Sequence, residues 1–212
     1  MYKRLVAFVG IVLACASASA VAQQQEPPGP WLARLRAIYI DPNTSNNASG
    51  PVASDSIEID SIWAPELDIS YFFTRNFALE LVLTYPQTHD VWSTQFGSLG
   101  SIKQIPPSLF AQYHFDTGTP FKPYAGAGIT YFWITDNNLS VNGANILNIR
   151  ESNWGFGLQA GLDYMLTRNW YLNADVKYIW VETKVTDTAN LGINTTVKVN
   201  PWVLGLGVGY RF

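Results

Sequence analysis

Cysteine is nearly absent. The single thiol, Cys15, lies within the first 22 residues. The chain beyond residue 22 has neither disulfide nor thiolate, which excludes Cys-based catalysis, redox switching and thiolate metal sites there. Charge is scarce as well: 14% of residues are charged, against about 25% in an ordinary soluble domain. The 13 basic and 16 acidic side chains give no basic excess of the kind a nucleic-acid surface needs, so no nucleic-acid partner is expected. Long apolar runs are missing after residue 22, because Gly, Pro, Asn or a charge interrupts each one before it nears the roughly 18–20 residues of a membrane-spanning helix. What is plentiful is apolar and aromatic, 48% and 14% of the chain. Such a chain faces something other than water, and if that is a membrane, helices do not cross it.

The first 22 residues read as a secretory signal peptide: Lys3 and Arg4 form a charged start, Leu5 to Ala14 an apolar stretch, and Ala18, Ala20 and Ala22 offer small residues for cleavage. Cys15, after Val12, Leu13 and Ala14, also fits lipid attachment, but a conventional cleavage site at Ala20 or Ala22 comes after it. Removing 22 of 212 residues, and two of 13 basic groups, leaves a domain over 23–212 with 11 basic and 16 acidic side chains. One domain accounts for that length.

Periodicity sets the class, since strands alternate every two residues and helices repeat near every 3.6. At the C-terminus Trp202, Leu204, Leu206, Val208, Tyr210 and Phe212 alternate with Val203, Gly205, Gly207, Gly209 and Arg211. One face meets an apolar medium while the other is small or polar. The pattern recurs in 154–166, 170–181 and 77–85, and extending it predicts eight strands near 31–40, 62–73, 77–86, 104–115, 121–132, 154–166, 170–181 and 197–212. Connections alternate strictly. Thr74 to Asn76, Asp116 to Pro120 and Thr167 to Asn169 are short, whereas 41–61, 87–103, 133–153 and 182–196 are long and polar.

These features together predict an all-β fold: an eight-stranded antiparallel transmembrane barrel with short periplasmic turns and long extracellular loops. Aromatics near both strand ends fit the two girdles of such a barrel. Trp31, Phe73, Phe77, Phe115, Tyr124, Tyr164, Trp170 and Phe212 fall on the short-turn side, and Tyr39, Trp63, Tyr85, Tyr131, Trp154, Trp180 and Trp202 on the long-loop side. Trp154 is also a candidate for the rim or a gate. A soluble sandwich or lipocalin-like barrel is the alternative, but the leader, the paired aromatic ends and the charged opposite face fit it less well.

The chain resembles the OmpW family of small outer-membrane barrels. The resemblance rests on Trp31-Leu32-Ala33-Arg34, Pro106-Pro107-Ser108-Leu109 leading to Gln112-Tyr113, Pro123 to Gly128, Trp154-Gly155, Gly161 to Tyr164, and the ending Asn200-Pro201-Trp202-Val203 to Gly209-Tyr210-Arg211-Phe212. It implies an eight-stranded barrel in the outer membrane of a Gram-negative bacterium and a role in passing small hydrophobic molecules. Lipids, lipopolysaccharide and the barrel-assembly machinery, reached through Phe212, are the further partners expected of a monomer.

With the apolar positions toward lipid, the opposite parity reads off the lumen. Arg34, Arg36, Lys177 and Arg211 are expected to face Glu66, Asp68, Glu80, Asp163 and Asp175, with Gln112, His114, Gln159 and Asn173 among them. Eight strands leave a lumen that side chains fill, so this network is expected to plug the barrel, its charges paired to hold it closed. Nearer the long loops the same parity gives Ile38, Ile40, Ile62, Ala64, Val82, Phe132, Ile179, Val181 and Val203. Two readings fit this apolar vestibule: a dry cup for a small apolar solute, or a surface for folded-in loops. The resemblance favours the cup. A solute above a charged plug must leave sideways, and Pro86, Pro106 and Pro107, which cannot donate to a ladder, mark either a lateral gap or the end of pairing at the rim. No catalytic residue, metal or cofactor is read: His89 and His114 are far apart and lack a motif. A structural or adhesive barrel without transport remains the alternative function.

Overall fold

The computed structural model describes residues 29–140, 147–187 and 192–212; the leader, with Cys15, Ala20 and Ala22, lies outside the described residues. The strands are β1 (Trp31–Asp41), β2 (Ser45–Asn46), β3 (Ile57–Ile59), β4 (Ile62–Phe72), β5 (Phe77–Thr84), β6 (Gln87–Ser93), β7 (Gly97–Ile105) and β8 (Ser108–His114). They continue as β9 (Phe121–Leu139), β10 (Leu147–Ile149), β11 (Ser152–Met165), β12 (Trp170–Trp180), β13 (Glu182–Asp187), β14 (Asn194–Lys198) and β15 (Trp202–Arg211). Eight of them, β1, β4, β5, β8, β9, β11, β12 and β15, pair in a ring that β9–β11 and β1–β15 close into an antiparallel barrel. Closure leaves that ring no open edge.

Local chemistry fixes the short turns. In 74–76 and again in 167–169 the sequence Thr-Arg-Asn precedes an aromatic residue, and the Thr hydroxyl accepts from the amides two and three residues on. The Asn amide of each turn then donates to the neighbouring strand, Asn76 to the His114 carbonyl and Asn169 to that of Arg211, both at 2.7 Å. In the third turn Gly118 takes φ 66°, while the Lys122 amine, 2.7 Å away, holds the Asp116 carboxyl below the usual carboxylate range.

Alternation orients the wall. Leu35, Leu81, Leu83, Leu109, Ile129, Leu158, Leu172, Leu204 and Leu206 project outward, flanked by aromatic pairs such as Trp31–Tyr71 and Trp170–Tyr210 at one end and Tyr39–Trp63 and Tyr178–Trp202 at the other. Tyr124 departs from the girdle expected of it. It is buried in the lumen, because β9 alternates inward at Tyr124, Thr130 and Phe132.

Strand limits also differ from expectation: the last wall strand starts at Trp202, after Pro201, and not near 197. The fourth wall strand starts at Ser108, not near 104, because Pro106 and Pro107 break the ladder. The long connections are not plain polar loops: β2, β3, β6, β7, β10, β13, β14 and the upper part of β9 carry strand structure above the barrel. Their inward side is an apolar cluster that includes Val52, Ile57, Val91, Leu99, Ile102, Leu139, Val185 and Val197.

Glycines admit one bulky lumen residue. Phe110 is fully buried at the level of Glu80, its partner in the β5–β8 register, and a Cβ on Gly157 would sit 2.9 Å from its ring. Gly157→Ala is therefore expected to destabilise the barrel by about 1–3 kcal/mol through overpacking. Adding Phe110→Leu is expected to restore much of the loss. Urea unfolding of both variants in detergent, followed by tryptophan fluorescence, checks this; a single variant as stable as the parent removes the packing argument.

Candidate functional site

The lower lumen is filled by an ion-paired cluster. Arg34 contacts Asp68 at 3.3 Å, Glu80 at 2.9 Å and Asp163 at 2.6 Å. Arg36 reaches Glu66 at 3.0 Å, Asp68 at 2.6 Å and Asp175 at 3.3 Å, and the Lys177 amine lies 2.9 Å from Glu66 and 2.7 Å from Asp175. Three cations thus face five carboxylates. The remaining acceptor capacity is met by neutral donors: the Tyr124 hydroxyl and Gln159 amide to Asp175, the same amide to Glu80, and Asn173 to Asp163. Gln112 donates to Gln159, and His114 lies against Gln112 and stacks on Tyr124. Such saturation is what charges in a lumen without bulk water require.

Arg211 stands apart from this cluster. Its guanidinium lies 3.8 Å over the Phe72 ring and donates to the Gly29 carbonyl at the periplasmic end. The position results from register, since Arg211 pairs with Leu32, one inward step below Arg34.

Above the charges the wall turns apolar. Ile38, Ile40, Phe132, Ile179, Val181 and Val203 form one buried cluster with Ile62 and Ala64 against it. Ile38, Ile40, Val82, Phe132, Ile179, Val181 and Val203 line a cavity of about 110 Å³, room for several waters or a short organic chain. Glu66 and Lys177 lie at its floor, and Val91, Ile102, Leu139, Val185 and Val197 of the upper strands extend its wall. Ile62 packs behind this surface. Trp154 is on the outer face, 66% exposed against Tyr131, where it belongs to the aromatic belt and not to a gate across the lumen.

Beside the cavity the wall is discontinuous. The β5–β8 ladder reaches Val82↔Ser108 and pairing resumes as Gln87↔Gln104 between β6 and β7; among the described residues no ladder pair joins 83–86 to 105–107 across this seam. Pro86, Pro106 and Pro107 occupy it, and Pro106 lines the cavity. Pro86 and Pro106 have no N–H to offer across the seam, whereas Pro107 faces β9, whose Tyr131 amide donates to its carbonyl.

Residues 28–212 match the model of the OmpW family. The chain belongs to that family. Outer membrane protein W of Vibrio cholerae is 32% identical over 222 residues, covering 99% of this chain and all of its own. Outer-membrane protein y4mB of Sinorhizobium fredii is 40% identical over 187 residues, 86% of this chain and 80% of its own. The crystal structure of the outer membrane protein OprG from Pseudomonas aeruginosa superimposes with a TM-score of 0.74 at 30% identity, covering 87% of this chain and 96% of that one. This OmpW-family chain is therefore a bacterial outer-membrane barrel whose outer face contacts lipid.

Alternation carries two lumen residues that residue type conceals. Counting down β9 from Phe132 turns Tyr124 inward, and counting up β8 from His114 and Gln112 turns Phe110 inward. Aromatic character alone places Tyr124 in the belt.

Proposed function

We propose that this OmpW-family barrel is a channel for small hydrophobic molecules, which collect in the apolar cavity and leave sideways through the seam at Pro86, Pro106 and Pro107. The observation that carries this reading is an apolar cavity standing directly on an ion-paired floor. A solute without hydrogen-bonding groups loses nothing by entering a dry wall, but it cannot displace charges that already satisfy one another. Ions face the opposite problem, since the cavity offers them no hydration. A receptor or adhesive barrel needs loops but has no use for a lined cavity above its plug. Residues 1–22 supply the export signal in this reading. Phe212, exposed and stacked on Tyr210, is the contact offered to the assembly machinery, and the monomer is the working unit.

The test is uptake of a short n-alkane into vesicles containing the purified full barrel. Faster uptake than in protein-free vesicles is expected, with negligible ion conductance; equal uptake overturns the channel. Pro106→Val gives the seam a ladder donor, since Pro107 faces β9, and is expected to slow uptake severalfold, whereas an unchanged rate rejects the lateral exit.

A further inference from the structure

Among the described residues, two buried side-chain atoms have neither a hydrogen bond nor an ionic partner: Thr84 Oγ1 and His89 Nε2. Both residues line the cavity, on the wall that contains the seam. His89 is 2% exposed. It is on β6, above the aromatic Tyr85 that ends the lipid-facing part of this wall, and across the ladder it faces Ile102, which offers no polar group.

The imidazole has a defined polarity. Its Nδ1 lies 3.2 Å from the Asp60 carbonyl oxygen, and a carbonyl oxygen only accepts, so Nδ1 carries the proton. Burial pushes the imidazole below its usual pKa despite Asp60 and Asp90 nearby, which keeps it neutral at physiological pH. In that state Nε2 is a bare acceptor. An acceptor buried without a donor is costly, and the cost is removed by any occupant that brings one.

Resting on the hydrophobic-channel reading, we infer that the cavity selects a hydrocarbon with a neutral hydrogen-bond-donating head, an alcohol or phenol, whose O–H donates to His89 Nε2 while its chain lies along Ile38, Ile179 and Val203. An alkane leaves Nε2 unpaired. An ether or ester places a second acceptor against it, and a carboxylate would require a proton on a ring whose burial opposes one. Thr84, lower in the same wall, offers a hydroxyl that can donate or accept as the head reaches the seam.

Nonanol and methyl octyl ether are isomers that differ in this one respect. Calorimetric binding to the full barrel in lipid nanodiscs, corrected against empty nanodiscs, is expected to favour nonanol by about two- to tenfold, the range supplied by one net hydrogen bond. His89→Phe is expected to abolish that preference while retaining ether binding, and His89→Gln, whose amide oxygen accepts, to keep part of it. Equal binding of the isomers by the parent overturns the inference and leaves the apolar cavity standing, and this comparison needs no variant. A preference that survives in His89→Phe overturns it too. If nonanol, the ether and decane all fail to bind, the channel reading falls and this inference with it.

Discussion

Val82→Asp is expected to reduce uptake of apolar solutes at least about tenfold while the barrel assembles normally. Val82 is 2% exposed, lines the cavity and lies one inward step above Glu80. A carboxylate there enters the apolar cavity lining beside the carboxylate of Asp68, its partner in the β4–β5 register, at a cost of several kcal/mol unless it is protonated or hydrated. The cations of the floor offer no escape, since Arg36 is already held by Glu66, Asp68 and Asp175, and the Lys177 amine by Glu66 and Asp175. Water drawn in by the charge would compete with an apolar ligand for the same volume, and a tenfold loss corresponds to only about 1.4 kcal/mol. Leu83→Asp is the control, because Leu83 is exposed on the lipid side. It is expected to impair assembly, at a cost of about 2–4 kcal/mol or less, while any barrel that forms keeps its cavity. Vesicle uptake, with heat-modifiable migration as the assay of assembly, separates the two. Normal transport by Val82→Asp, or exchanged phenotypes, would sink the cavity as the route.

The second large effect concerns the floor. Arg34→Ala is expected to cost about 3–5 kcal/mol of barrel stability, because it takes from Asp163 its guanidinium partner and leaves Asp68 and Glu80 to Arg36 alone. Glu80→Ala removes an acceptor from Arg34 and Gln159 and is expected to cost less, since Arg34 retains Asp68 and Asp163. Arg34→Lys is expected to rescue little, as an ammonium cannot reproduce the two guanidinium contacts to Asp163. Urea midpoints in a lipid or detergent host measure all three. If they match the parent, water screens this cluster and the floor is soft.

The eight wall strands and their orientation are legible in the sequence because lipid on one side and a filled lumen on the other force strict alternation, visible from Trp202 to Phe212 without any contact information. The upper strands are not, although β6 alternates cleanly with Gln87, His89, Val91 and Ser93 inward. Their outer face meets water, so composition there looks like that of a loop, and only the inward half betrays the strand. Arg211 departs from expectation for a different reason. Parity gives the side of the wall but not the height along it, and near the barrel's end an inward arginine meets Phe72 and backbone in place of the acids above. The cavity likewise lies beyond the sequence, since its upper wall comes from several connections whose meeting is a matter of tertiary packing.

The pairing of β1 with β15, from Leu32↔Arg211 to Asp41↔Trp202, also dictates an order of events. The strands that shut the ring are the first and last of the wall, so the seam with the largest loop-closure entropy cannot form until the final strand is present. Both arginines of the floor sit on β1, and their carboxylates come from β4, β5, β11 and β12. In an open sheet Glu66, Asp68 and Glu80 lie close to them along the chain, but Asp163 and Asp175 arrive only when the sheet curls round. The charge cluster thus acts as a latch: it gains its last partners at the moment of closure, and a barrel that shuts out of register traps those charges unmatched.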